Sequence, residues 1–518
     1  MRGLAPVLAT VLALALPVVA QADEVADRIA AVQIPRLRPL DFAPLAQDLA
    51  RFKPTPELDA LIAGADIAAL QEARAKGKLT AEALTLWHLA RIARLDEGLR
   101  AMLEINPAAL AEARTSDARQ QAGHLLGPMD GIPTTLKDNI GTAAPLHTTA
   151  NAAVLLDNIA PADADLVTAL HAQGAVILGK ASLSEFAGAI ASGMPSGGNG
   201  AVGGQAVNPL GPWPSYGSSA GSAIGVAAHL SVVSVGTETS GSLIAPAAVA
   251  SLVAMKPTKG LVSGEGIVPL VRNNDGAGPI ARSVRDAAVL LAAIDTVEND
   301  YTKGLSGSAL AGARVGIVTA DIPQAAGASA LLTRAGAALA MSGARMHPAR
   351  LSDPTGTMDS FLLLLSSGVR FDMMPYVTAH APALVTPEDL IAYNAADAAR
   401  RAPFGQDLIG LIAPLSKDMT AKDHAALAAA LTKAATDALE AAFAEGEGAD
   451  VLISLANFQA PYYATAGYPA ITVPTGRTDA GEPSGITLIG RKGQDAQLLA
   501  YAYAFEQMTR AHIEASLP

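Results

Sequence analysis

The sequence predicts an α/β protein whose sheet is covered on both faces by helices. Three observations carry this. Half of the 518 residues are apolar and only 16% are charged, so a large core can form. Short apolar runs of strand length alternate with helical periodicities, the pattern of helices packed on a sheet. The runs Ala175–Leu178, Val451–Ser454 and Ala470–Val473 are apolar almost throughout rather than alternating, which suits strands buried on both sides.

The elements follow in order. Residues 1–22 form a targeting segment: Arg2, an apolar run from Leu4 to Val19, and Ala20-Gln21-Ala22 as an A-x-A cleavage pattern before Asp23. The run is short and interrupted by Pro6 and Pro17, so no stable membrane anchor is expected. Cleavage after Ala22 would send the mature chain to the periplasm or outside the cell. It removes Arg2 alone among charged groups, taking the net charge from −12 to −13. Residues 23–78 read as a helical lead-in, rich in proline at its start, and 79–518 as the main domain. Helical patterns cover about 57–75, 81–104 and 107–123. Gly131–Ile140 reads as a strand with Pro133 near its start, where no ladder donor is needed. A helix at Asp165–Gln173 leads into the strand at Ala175–Leu178. Residues 188–222 show no periodicity and hold ten glycines, and Ala223–Val235 begins as helix and ends as strand. Ser283-Val284-Arg285-Asp286 resembles a capping box opening a helix to about Val297. A strand at Val315–Val318, a helix at about Lys422–Ala444, the strands at 451–454 and 470–473, and a helix at about Asp495–Ala515 complete the chain.

Composition excludes several chemistries. With 36 Lys and Arg against 48 Asp and Glu, the chain lacks the basic balance of a general nucleic-acid binder. It has no cysteine, so a thiol nucleophile, disulfides and cysteine-ligated metals are out. None of the nine histidines forms H-E-x-x-H or H-x-H, so no histidine-rich metal site is expected. Gly198-Asn199-Gly200-Ala201-Val202-Gly203 matches a dinucleotide fingerprint, but no strand precedes it and Ala223 stands where an acid should follow. Gly217-Ser218-Ser219-Ala220-Gly221 matches a nucleophile elbow at Ser219. The preceding Gly211-Pro212-Trp213-Pro214 cannot make the strand an elbow requires.

Three segments together carry a stronger signal. Gly131-Ile132-Pro133-Thr134-Thr135-Leu136-Lys137-Asp138-Asn139-Ile140 sets a lysine within a strand, where lysines are rarely buried without a role or a partner. The plain alternative is a strand-end lysine paired with Asp138. Tyr216-Gly217-Ser218-Ser219-Ala220-Gly221-Ser222-Ala223 is a serine–glycine loop opening a helix. Val235-Gly236-Thr237-Glu238-Thr239-Ser240-Gly241-Ser242 is a small-residue turn that can present backbone N–H groups.

In this order and spacing the three segments resemble the amidase signature family of Ser–Ser–Lys hydrolases, most closely its bacterial peptide-amidase branch. The resemblance runs from near Leu79 to about Gln507. It includes Leu252-Val253-Ala254-Met255-Lys256-Pro257-Thr258, Gly278-Pro279-Ile280-Ala281-Arg282 and Gly467-Tyr468-Pro469-Ala470-Ile471-Thr472-Val473-Pro474. It implies an amidase signature fold, a large mixed, mainly parallel sheet sandwiched by helices. It also implies hydrolysis of a carboxamide with no cofactor and no metal. Residue by residue, it makes Lys137 the base, Ser218 the bridging serine after a cis peptide bond, and Ser242 the nucleophile. Backbone N–H groups of Thr239, Ser240 and Gly241 would hold the oxyanion, with Thr237, Ser219 and Asp138 in support. The expected partner is a small-molecule or peptide amide, with no nucleic acid; oligomeric state stays open. Three positions depart from the family pattern. Ser215-Tyr216-Gly217 replaces Pro-Gly-Gly, Ala220 replaces a glycine, and Ser240 replaces the first of two glycines before the nucleophile. An amidotransferase subunit of the same family and a non-catalytic amide-binding protein are the alternatives. Residues 350–420 are expected to shape the pocket, with Phe361, Met373, Met374 and Tyr376 as candidates.

Overall fold

Strand residues that pack on two sides must be apolar at both parities, and the strands of this chain are. In the third strand, Val176 and Leu178 join a core cluster on one face of the sheet while Ile177 joins the cluster on the other. Leu452 likewise faces away from Val451 and Ile453. The structure, a computed structural model, describes residues 33–192, 197–318, 328–352 and 357–517. The expected targeting segment, residues 1–22, and the first part of the lead-in lie outside them. Among the described residues, no helix is long and apolar enough to cross a membrane.

The strands are β1 (Met102–Ile105), β2 (Pro133–Lys137), β3 (Val176–Ala181), a small hairpin of β4 (Asn199–Gly200) and β5 (Gly204–Gln205), β6 (Val233–Glu238), β7 (Val253–Lys256) and β8 (Gly276–Ala281). They continue with β9 (Arg314–Val318), β10 (Arg345–Ala349), β11 (Val451–Leu455), β12 (Ala470–Arg477) and β13 (Pro483–Ile489). All but the hairpin form one sheet in the order β1-β3-β2-β6-β8-β7-β12-β13-β11-β9-β10. The sheet is mixed, as expected, but not mainly parallel as the resemblance implied: most neighbouring strands run antiparallel. Parallel pairs are confined to β3-β2-β6 and β11-β9-β10. The span between them, and the β1 edge, pair antiparallel. Helices Asp165–Ala172, Val284–Ile294 and Asp495–Thr509 cover one face. Ala220–Ala227 lies against β2, β6 and β8 on the other, and Ala421–Ala444 against the β11 side.

Several boundaries move for identifiable reasons. The pattern over 57–75 is two helices, Pro56–Ile62 and Ile67–Ala75, parted around Gly64 at φ +73°. The helix expected over 81–104 ends at Leu99. Arg100 turns left-handed, and the buried Asp96 carboxylate accepts the N–H groups of Ala101 (2.8 Å) and Met102 (3.1 Å), so the next residues enter β1. Ser283 caps its helix by accepting from Asp286 N, but that helix stops at Ile294. The final helix stops at Thr509, where Arg510 is left-handed. Strands β7, β8, β10 and β13 carry no sequence signal strong enough to predict. β8 reads Gly-Ala-Gly-Pro-Ile-Ala, and its glycines and proline mask a strand the neighbouring β6 and β7 impose. Met373 and Met374, expected near the pocket, are fully buried core, packed with Phe186, Val268 and Leu270. Tyr376 packs on the same cluster and accepts from Asn158 Nδ2 at 3.0 Å.

Candidate active site

The site forms where β2 and β6 run side by side and end. Their parallel register sets Leu136 against Val235, so Lys137 arrives beside the Gly236–Thr237 end of β6. Lys137 is fully buried. Its Nζ lies 2.7 Å from Ser218 Oγ, 3.0 Å from the Thr237 carbonyl and 2.8 Å from Thr237 Oγ1. Asn139, two residues on, donates to the same Thr237 hydroxyl at 3.0 Å. Burial disfavours the ammonium and brings the Lys137 pKa down to about 7, although the negative charges of Asp275 and Glu238 oppose the shift. An amine neutral near physiological pH and in contact with a hydroxyl can take that hydroxyl's proton.

The serine loop enters from the other side. The Gly217–Ser218 peptide is cis, as the resemblance implied. Ser219, just before the helix Ala220–Ala227, donates its hydroxyl to the Thr237 carbonyl at 2.9 Å and accepts from Thr237 N at 3.2 Å. Its backbone N–H donates to the Ser242 carbonyl at 3.1 Å, which ties the serine loop to the turn after β6. Ser218, Ser219 and Ser242 are all buried. Glu238, the last residue of β6, accepts the N–H groups of Leu243 (2.8 Å) and Ile244 (3.2 Å) with one oxygen, closing the turn that carries Ser242. Gly241 sits at φ +83°, and a Cβ there would lie 2.7 Å from Asn457 Nδ2, so this glycine is required twice over. Ser240, one of the three departures from the family pattern, is half-buried.

The expected role of Asp138 needs correction. Its carboxylate does not support Lys137. It accepts from Thr149 N at 3.0 Å and from the Thr149 hydroxyl, and pairs with the buried Lys180 at 3.4 Å. The simple pairing of Lys137 with Asp138 is therefore absent too: β2 ends at Lys137, and Asp138, in the turn that follows, is paired with Lys180 instead. Thr237, Ser219, Lys137 and Ser218 form one hydrogen-bonded cluster, and Thr239, Gly241 and Ser242 share the adjoining turn. Sequence reasoning missed Asn139, Glu238 and Asp275. Asn139 and Glu238 stand inside the strand and turn segments that carry Lys137 and Ser242, where a second polar residue beside each key residue was the available signal. A cavity of about 260 Å³ adjoins the cluster, lined by Asn139, Thr237, Thr239, Leu270 and Asp275, with Lys259 and Arg272 exposed at its edge. Ser218 and Ser242 do not line it; Lys137 connects to it through Thr237.

The chain matches the family model described as Amidase over residues 83–462. It is 35% identical over 460 residues to a probable amidase of Arabidopsis thaliana, covering 83% of this chain and 87% of that protein. The native peptide amidase of Stenotrophomonas maltophilia superposes with a TM-score of 0.81 at 36% identity, covering 88% of this chain and 98% of that one. A glutamyl-tRNA(Gln) amidotransferase subunit of Synechococcus is 30% identical over 479 residues, covering 82% of this chain and 94% of that protein. The chain belongs to the amidase family, and its chemistry is amide hydrolysis.

Proposed function

We propose that the protein is an exported amidase that cleaves a carboxamide through an acyl-enzyme on Ser242. The observation that carries this is the buried Lys137 amine, held by Thr237 and in contact with Ser218. Neutral Lys137 takes the Ser218 proton, and Ser218 takes that of Ser242. The Ser242 oxygen attacks the carbonyl carbon while N–H groups of Thr239, Ser240 and Gly241 hold the oxyanion. The C–N bond breaks as the relay returns a proton to the leaving nitrogen, and water then releases the acyl group as the acid. Likeness to the Stenotrophomonas enzyme supports a peptide amide as the first substrate class to try. The amidotransferase relatives support a second reading, a subunit that releases ammonia from an amide for transfer. The apolar run 4–19 followed by Ala20-Gln21-Ala22 favours the exported enzyme.

A fluorophosphonate probe, followed by peptide mapping and a panel of peptide, aryl and aliphatic amides, tests the proposal. Labelling at Ser242 with release of free acid is the expected result. A folded protein that takes no label and turns over no amide would favour a binding role instead.

A further inference from the structure

The turn bearing Ser242 is held from two directions. Beyond Ser242, Glu238 accepts from Leu243 and Ile244. Before it, the Thr239 hydroxyl donates to Asp275 Oδ1 at 2.6 Å. The other oxygen of Asp275 accepts the N–H groups of Leu270 (2.8 Å) and Val271 (3.0 Å). The Asp275 carbonyl accepts from Lys259 Nζ, which also donates to the Arg272 carbonyl at 2.7 Å. Asp275 directly precedes β8, whose first residue, Gly276, pairs with Glu238. One carboxylate thus ties together the turn, the cavity wall at Leu270 and the start of a strand.

We propose that Asp275 is a positioning residue for the hydrolysis, fixing the Thr239–Gly241 turn so that its N–H groups face the oxyanion. The inference rests on the Lys137–Ser218–Ser242 relay proposed above.

Asp275 has a second effect through charge. The acidic groups acting on Lys137 are Asp275 and Glu238, and both favour its ammonium form. Asp275 itself feels Lys259, whose own neighbours are Arg272 and Asp372. Burial pushes the Asp275 carboxyl up to about 6, against its bonds to Thr239, Leu270 and Val271. Above that pH it is charged and holds Lys137 protonated to higher pH than burial alone would. Removing the charge lets Lys137 lose its proton sooner, so the acid limb of the pH–rate profile moves to lower pH.

The test uses the full protein and a peptide amide that the wild type hydrolyses, with kcat and KM measured from pH 5 to 10 for Asp275→Asn, Thr239→Val and Lys137→Ala. Asp275→Asn is expected to lower kcat by about tenfold to hundredfold, short of a full oxyanion-donor loss, with KM little changed and the acid limb shifted down. Thr239→Val is expected to lower kcat with a smaller downward shift of the limb, because the carboxylate remains but loses the bond that favours its charge. Wild-type kcat in Asp275→Asn overturns the inference. So does a loss of kcat and melting temperature with the limb unmoved, since that is a structural role only. If Asp275→Asn does not fold, a wild-type rate in Thr239→Val overturns it. Full turnover in Lys137→Ala sinks the relay itself; an inactive Lys137→Ala beside an unaffected Asp275→Asn sinks the Asp275 inference alone.

Discussion

Lys137 makes different demands on rate and on stability, and the two can be measured separately. As the proposed base it works only when neutral, so activity should rise with pH through about 7 and stay high above it. Lys137→Arg keeps a positive charge that cannot be shed, and should lose about 10²–10⁴ in turnover, as Lys137→Ala should. Near-normal turnover in the arginine variant would remove Lys137 from the chemistry. Stability follows from the proton balance. The folded pKa, about 7, lies below the unfolded value of roughly 10.4, so between them the unfolded chain binds more protons and wild-type stability rises with pH. Lys137→Met is therefore expected to melt higher than wild type at pH 7, with the advantage shrinking toward pH 10. Of the serines, Ser242→Ala should abolish hydrolysis with the fold intact. Ser219→Ala should retain a good part of it, since Ser219 bonds to Thr237 and not to Lys137. An inactive Ser219→Ala beside an active Ser242→Ala would reverse the assignment.

Elements explain which parts of the site could be read in advance. Lys137, Ser218 and Ser242 could be named as candidates because the order and spacing of a strand end, a serine loop and a small-residue turn resemble the amidase signature. Asp275 could not, because nothing local links it to Thr239, 36 residues earlier. The contact exists only because β8 pairs with β6, and β8 hides behind Gly276, Gly278 and Pro279. The same reason cost β1, where four residues after a helix look like its continuation until Asp96 turns the chain. Backbone conformation, by contrast, makes a sharp prediction. Gly241→Ala places a side chain at φ +83° and against Asn457. A left-handed residue costs about 1–2 kcal/mol before any clash. A lower melting temperature and a fall in turnover at least as large as that of Thr239→Val are expected. Wild-type kcat would show that the turn need not hold this shape.

At the scale of the molecule, the candidate site occupies the ends of β2 and β6, the third and fourth strands from the β1 edge, and helices bury both faces of the sheet. That arrangement was foreseeable from apolar runs at both parities. The mixture of directions was not, since antiparallel pairs such as β12–β13 depend on which strands meet across long stretches of chain. Export, as proposed, concerns the whole chain: removal of residues 1–22 should leave a mature protein beginning at Asp23. N-terminal sequencing of protein from the periplasmic fraction checks this. An intact Met1 on cytosolic protein would argue for an intracellular enzyme instead.

Thr237 offers its carbonyl and its hydroxyl to one amine at once. A neutral primary amine has two hydrogens and a single lone pair. With both hydrogens committed to Thr237, rotation about the Cε–Nζ bond is frozen and the lone pair has one bearing left, toward Ser218. The consequence concerns time as much as energy: as the proposed base, Lys137 would not search for its proton, because every other orientation forfeits a buried hydrogen bond. Thr237→Ser keeps both acceptors and should keep most of the turnover. Thr237→Val keeps only the carbonyl, frees the amine to swing, and should slow acylation about tenfold while substrate binding holds.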